Sequence, residues 1–210
     1  NYRQHLDTLR LDGSNYSFRK NEAVPGVFAE YAYILDKKLV IMQGLRFDYD
    51  NLYQQLFWTP RLHVKWQATE RFSLRASVGK GYRTANVLAE NVSLLTSNRA
   101  FQQVETQKAE EAYNAGISFV QTFKMKGGDA SIAVDYFYTT FTNQTIIDLD
   151  RDVHSIYVYN LNGDFNGTGN HSRSHSCQAE LTLKPFERFE VLLAYRYNDV
   201  RYETNGKMVE

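Results

Sequence analysis

An antiparallel all-β meander of the transmembrane β-barrel kind is the fold class that three features of this sequence predict. Stretches of about ten residues alternate apolar and polar side chains with a period of two, so each reads as a strand with one face of each kind. Connections alternate between tight turns and long polar segments, which gathers the tight turns at one end of the meander, as in outer-membrane barrels. Aromatic residues are abundant, 14% of 210 residues with 15 Tyr and 13 Phe. They cluster near strand ends on the apolar face, where interfacial girdles belong.

The strands follow in order. VFAEYAYIL (27–35) puts Val27, Ala29, Tyr31, Tyr33 and Leu35 on one face. A turn at Asp36-Lys37 leads into KLVIMQGLRFDY (38–49), where Leu39, Ile41, Leu45, Phe47 and Tyr49 oppose Arg46 and Asp48. WTPRLHVKWQ (58–67) sets Trp58, Leu62, Val64 and Trp66 against Arg61, His63, Lys65 and Gln67. Trp58 and Trp66 are about 26 Å apart along a strand, or about 20 Å along the normal at a tilt of ~40°, close to the spacing of two girdles. After Thr69-Glu70-Arg71, RFSLRASVG (71–79) opposes Phe72, Leu74, Ala76 and Val78 to Ser73, Arg75, Ser77 and Gly79. AEEAYNAGISFVQTFKM (109–125) aligns Tyr113, Ala115, Ile117, Phe119 and Phe123, and Gly127-Gly128 is a strong hairpin signal before SIAVDYFYTTF (131–141). SCQAELTLK (176–184) and FEVLLAYRYNDV (189–200) pair across 185–188, with Glu180 and Arg196 on their polar faces. These make about eight strands, with long connections expected near 50–57, 83–107 and 148–172. A soluble β-sandwich also has alternating strands, but its strands are typically only about 5–6 residues long.

Composition narrows the function classes. Lys plus Arg equals Asp plus Glu, 24 each, so no charge excess suggests nucleic acid or an acidic partner. A lone cysteine, Cys177, offers neither a disulfide framework nor a thiolate metal site. No apolar run approaches the roughly 18 residues of a spanning helix. The chain starts at Asn1 rather than Met and is expected to be an excised or mature-chain fragment, so a missing signal says nothing about location.

Individual motifs add little chemistry. SVGKGYRTAN (77–86) lacks the hydroxyl residue after Gly-Lys that a phosphate loop needs, and Thr84 stands where a dinucleotide loop has its third glycine. Gly79 and Gly81 are instead read as ending a strand where the backbone bends or a neighbour comes close. His171 and His175 lie in a Gly/Ser/Asn-rich stretch, not on a helix. They read as outward-facing rim residues beside Arg173, with contact to lipopolysaccharide phosphates as the sharper alternative. DLDRD (148–152) lacks the glycine and distal glutamate of a calcium loop. Asn-x-Ser/Thr sequons at Asn15, Asn91, Asn143, Asn166 and Asn170 mark polar loop composition. No catalytic triad, carboxylate pair, metal site or cofactor site is arranged convincingly, so the chain is not read as an enzyme.

Several strings together resemble a known family. Gly44-Leu45-Arg46-Phe47-Asp48, Pro60-Arg61-Leu62 and Ser73 through Arg83 follow one another as they do in TonB-dependent outer-membrane receptors. Asn143-Gln144, Tyr159-Asn160-Leu161 and Ala194-Tyr195-Arg196-Tyr197 are similar to versions in Bacteroidetes-type members. The likeness covers nearly the whole chain. It departs at Arg83-Thr84-Ala85, where many members have Arg-Ala-Pro. The resemblance implies a 22-stranded barrel in the bacterial outer membrane, plugged by a separate N-terminal domain. Residues 1–210 would be one fragment of that barrel, with the plug and C-terminal strands outside it.

The function implied is TonB-dependent active uptake of a scarce nutrient such as a siderophore, haem or cobalamin. Partners would be the chain's own plug domain, the TonB complex reached through the missing N-terminal region, outer-membrane lipid and the nutrient ligand, with no nucleic acid. A surface β-sandwich adhesin or binding module without transport is the alternative, and an outer-membrane hydrolase a third class. Tyr82, Arg83, Asn86, Asn98, Arg99, His154, Tyr157 and Tyr159, in the long polar loops, are the candidate ligand contacts, because arginine pairs with carboxylates and tyrosine offers a flat face with a hydroxyl. Arg46, Asp48, Arg61, Lys65, Arg75, Glu180 and Arg196 are the expected lumen- or plug-facing residues. Leu62, Val64, Trp66, Leu74, Ala76, Ile132, Val134, Leu181 and Val191 are expected to meet lipid.

Overall fold

A computed structural model describes residues 2–11, 14–36, 38–91, 93, 97, 99–103, 107–149, 151–162, 172–186, 188–204 and 207–209. The elements are β1 (Tyr2–Leu11), β2 (Ser14–Ala23), β3 (Gly26–Leu35), β4 (Leu39–Asp50), β5 (Gln55–Thr69), β6 (Phe72–Arg83), α1 (Val87–Glu90), β7 (Ala100–Gln103), β8 (Glu110–Met125), β9 (Gly128–Asp148), β10 (Ser155–Asn162), β11 (Ser172–Phe186), β12 (Phe189–Thr204) and β13 (Lys207–Val209). One sheet runs β13-β12-β11-β9-β8-β6-β5-β4-β3, every neighbour antiparallel. β1 and β2 form a separate two-stranded sheet. All the long alternating strands thus lie in one sheet, whereas a β-sandwich divides its strands between two sheets face to face.

The eight expected strands are β3, β4, β5, β6, β8, β9, β11 and β12. Their short connections fall at one end: residues 36–38, Glu70-Arg71, Lys126-Gly127 and residues 187–188. Two of these turns use left-handed backbone. Asp36 has φ 46° and Gly127 has φ 97°; aspartate tolerates this region and glycine enters it without steric cost.

Other expectations need correction. The hairpin β1-β2 pairs over its full length, although its polar sequence hid it from periodicity. The expected long connection at 50–57 is the four-residue turn 51–54, because β4 and β5 run on to Asp50 and Gln55. The connections at 83–107 and 148–172 are not plain loops. They contain α1, β7 and β10, with β10 pairing antiparallel to β9 and parallel to β7.

Register fixes the two faces, since cross-strand partners share a face. One row runs Ile41–Val64–Ala76–Ile117–Tyr136–Cys177–Tyr197. The row beside it on the opposite face runs Val40–Lys65–Arg75–Ser118–Asp135–Gln178–Arg196. The polar face is not uniformly polar, for Phe28, Ile34, Phe137, Leu192 and Val200 stand exposed on it. Buried residues lie mostly elsewhere: Phe57, Ala85, Ala109, Ile156, Val158 and Leu161 all sit at the long-loop end.

Candidate ligand site at the long-loop end

The site starts from a parting of strands. β5 and β6 pair from Gln67↔Ser73 up to Arg61↔Gly79, and no further. Gly79 allows the close approach there: a Cβ would lie 3.2 Å from the Pro60 carbonyl oxygen. At Gly81 no such neighbour stands among the described residues, and a Cβ would meet open space. Above the split Tyr82 stacks on Phe57, ring centroids 4.1 Å apart and planes within 8°, and Tyr53 meets Phe57 edge-on at 6.2 Å.

A cleft of about 400 Å³ opens beside this stack, lined by Glu22, Val24, Arg46, Asp48, Tyr82, Arg83 and Thr84. Its charges are ordered by ion pairs. Arg46 Nε donates to Asp48 Oδ2 at 2.6 Å. Arg83 donates to the buried Glu110 and, at 3.3 Å, to Glu90. Thr84 Oγ1 donates to the buried Glu22 at 2.9 Å. Asp50 lies below the cleft wall, fully buried, with Oδ1 accepting the Leu52 N–H at 2.8 Å. Burial, with Asp50, Glu22 and Glu110 nearby, pushes the Tyr53 hydroxyl up to about 12, so it is neutral at physiological pH. Carboxylates held by arginines beside a stacked tyrosine suit a polar ligand with a flat portion.

The candidate contacts divide into two groups. Tyr82, Arg83 and Asn86 belong to the cleft end, where the Asn86 N–H donates to Glu90 Oε1 at 3.3 Å. Arg99, His154, Tyr157 and Tyr159 belong to the β7–β10 ladder. Arg99 Nη1 donates to the Leu149 carbonyl at 3.0 Å, and the Ala100 N–H to the His154 carbonyl at 2.9 Å. The Arg151 guanidinium lies 4.6 Å over the Tyr157 ring, and Tyr159 pairs with Ile146. Asn98, His171, Asn166 and Asn170 lie outside the described residues. Beneath the ladder, Glu110 Oε1 accepts the Thr145 N–H at 2.9 Å, and the Asn143 side chain donates to the Ala109 carbonyl. This bonding joins ladder to cleft through Glu110.

Register puts Arg46, Asp48, Arg61, Lys65, Arg75, Glu180 and Arg196 on the same face. Arg61 pairs with Glu30, and Gln178 Nε2 donates to Glu180 Oε1 at 2.6 Å. Lys65 and Arg75 stand directly opposite each other. Sequence reasoning missed Glu22, Phe57, Glu90 and Glu110, which at strand ends look like any solvated rim. Asp50 was findable: Asp-Asn after an apolar alternation is an Asx-turn signature.

An antiparallel meander of eight long strands with one apolar face, tight turns at one end and elaborated loops at the other defines a segment of outer-membrane barrel wall. The family model described as TonB dependent receptor-like, beta-barrel, matches residues 1–207, and the chain belongs to that family, one of receptors rather than enzymes. Solved structures with the same fold include the siderophore receptor PirA from Pseudomonas aeruginosa, at TM-score 0.62 and 17% identity over 88% of this chain and 33% of that one. A mutant of the ferric enterobactin receptor PfeA, also from Pseudomonas aeruginosa, gives TM-score 0.64 and 18% identity over 90% of this chain and 28% of that one. The outer membrane transporter YddB from Escherichia coli gives 0.58 and 14% over 90% and 26%. This chain thus spans a third or less of those structures, and identities this low speak for the fold alone. A comparison with curated proteins found no match.

Proposed function

We propose that residues 1–210 are one fragment of the barrel domain of an outer-membrane receptor that takes up a scarce nutrient, such as a siderophore, haem or cobalamin, by TonB-dependent active transport. The observation that carries this reading is the joined loop assembly, in which β7 and β10 from two separate connections pair beside the cleft lined by Tyr82 and Arg83. Wall strands must close hydrogen bonds and match the bilayer, so they have little freedom to recognise a ligand. Folded loops on a rigid scaffold have that freedom. The row containing Lys65, Arg75 and Arg196 faces the lumen in this reading, where the plug domain meets it, and the exposed Phe28, Phe137 and Leu192 give that plug apolar footing. TonB acts on the plug side, outside this chain.

The test is to replace either long connection, 84–109 or 149–171, by a four-residue turn in the full-length receptor. Barrel insertion, read by heat-modifiability on gels, should be intact, while ligand binding to outer-membrane vesicles and uptake should be lost. Because β7 and β10 pair with each other, each deletion should do the damage of both. Normal binding after both deletions would move recognition to the plug and lumen wall.

A further inference from the structure

The apolar face carries a polar feature that the ligand cleft does not use. β9, β11 and β12 stay in unbroken register through three successive rows: Tyr136–Cys177–Tyr197, then Tyr138–His175–Asp199, then Thr140–Arg173–Arg201. Below them on the same face lie Val134–Ala179–Tyr195 and Ile132–Leu181–Leu193. His175 ties the upper aromatics together: its Nδ1 is 2.8 Å from the Tyr136 hydroxyl, and its ring centroid is 4.9 Å from that of Tyr138. At the other end of the same strands Phe186 and Phe189 stack at 5.5 Å. The nine steps from Phe186 to Cys177 make about 30 Å of strand, or about 23 Å along the normal at a tilt of ~40°, matching an apolar band of ~25 Å. On these three strands the Tyr136–Cys177–Tyr197 row is therefore the upper aromatic girdle.

The Arg173–Arg201 row lies above it, four residues beyond Cys177 and so about 10 Å higher along the normal. Two guanidinium groups directly opposite each other on neighbouring strands repel unless an anion lies between them. Arg201 Nε donates to Asp199 Oδ1 at 2.8 Å. Among the described residues Arg173 has no carboxylate partner, and it is half-buried. Paired guanidinium forks match phosphate oxygens.

We propose that Arg173 and Arg201 bind the phosphate of an outer-leaflet glycolipid, with Tyr138 and His175 as the floor beneath its sugar. The lipid is favoured over free phosphate because the pair stands on the lipid-facing side, directly over the girdle, at headgroup height. The site is independent of which nutrient is transported.

Native mass spectrometry of the full-length receptor with added lipid A tests this, using the bis-phosphorylated and dephosphorylated forms. Wild type should retain the phosphorylated form at least tenfold better than the Arg173→Ala/Arg201→Ala double variant, and the two proteins should hold the dephosphorylated form equally weakly. Arg173→Lys, which keeps the charge but loses the fork, should fall between them, and heat-modifiability confirms folding of each. Equal retention by wild type and double variant overturns the proposal. So does displacement of the lipid by millimolar inorganic phosphate, which would make the site one for the free anion.

Discussion

The wall and the loop assembly use the same kinds of residue against opposite surroundings. In the wall, Tyr195 is 67% and Trp58 47% exposed; in β10, Ile156 is 0% and Leu161 2% exposed. A soluble protein rarely exposes a large contiguous apolar patch, whereas the wall leaves Leu62, Val78, Ile117, Phe119 and Tyr136 exposed on one face because its solvent is lipid. The loop assembly stands in water and must build a core of its own, from Ile156, Val158, Leu161, Ala85 and Ala109. An apolar side chain in this molecule is therefore interpretable only once its height along the strand is known.

That contrast breaks most sharply at Val64, which sits between Ile41 and Ala76 on the apolar face. Val64→Arg puts a guanidinium on the lipid face, which costs up to about 2–4 kcal/mol, and should impair assembly, whereas Ser73→Arg, on the opposite face, should assemble normally. Heat-modifiability of the two full-length variants decides, and equal tolerance would count against the assignment of faces. A smaller effect is expected at Ile156. Ile156→Val should cost about 0.5–1.5 kcal/mol, confined to the loops, so proteases should nick residues 149–154 faster in intact cells while the barrel band on gels is unchanged. If the barrel itself loosened, the two regions would not be separable.

The smallest expected effect is a pH response at Asp152. The His154 N–H, donating at 3.1 Å, together with the Ser155 hydroxyl, holds this carboxylate below the usual range. A lowered folded-state value means that the bond's contribution is complete above the ordinary aspartate range and is lost as pH falls through the lowered value. Amide exchange at His154 should accordingly lose protection only in acid, and Asp152→Asn should flatten that response. Unchanged acid sensitivity in the variant would place its origin elsewhere.

How much of this was legible in the sequence follows from the same contrast. Where one face meets lipid, apolar residues recur at every second position, and β3 through β6, β8, β9, β11 and β12 could be read by residue parity. Below the bilayer ends, Gly127-Gly128 and Asp36 announced their turns through backbone chemistry. β1, β2, β7 and β10 were not legible. β1 and β2 alternate too little in polarity, and the core around Ile156 joins residues from different connections, which no local pattern records. The same holds in the cleft: Arg83 was picked for its chemistry, but its partner Glu110 lies 27 positions away, and only the β6–β8 register brings them together.

The parallel pairing of β7 with β10, Ala100 through Gln103 against Ser155 through Val158, has a consequence for how such a receptor could change its preference. Two stretches more than fifty positions apart share one ladder, so opening β10 strips β7 of its partner, while β10 itself also rests on β9. A chimera that grafts one connection from another receptor would bring a strand without its mate. The transplantable module is the pair, so a lineage diverging in specificity would have to revise both stretches together.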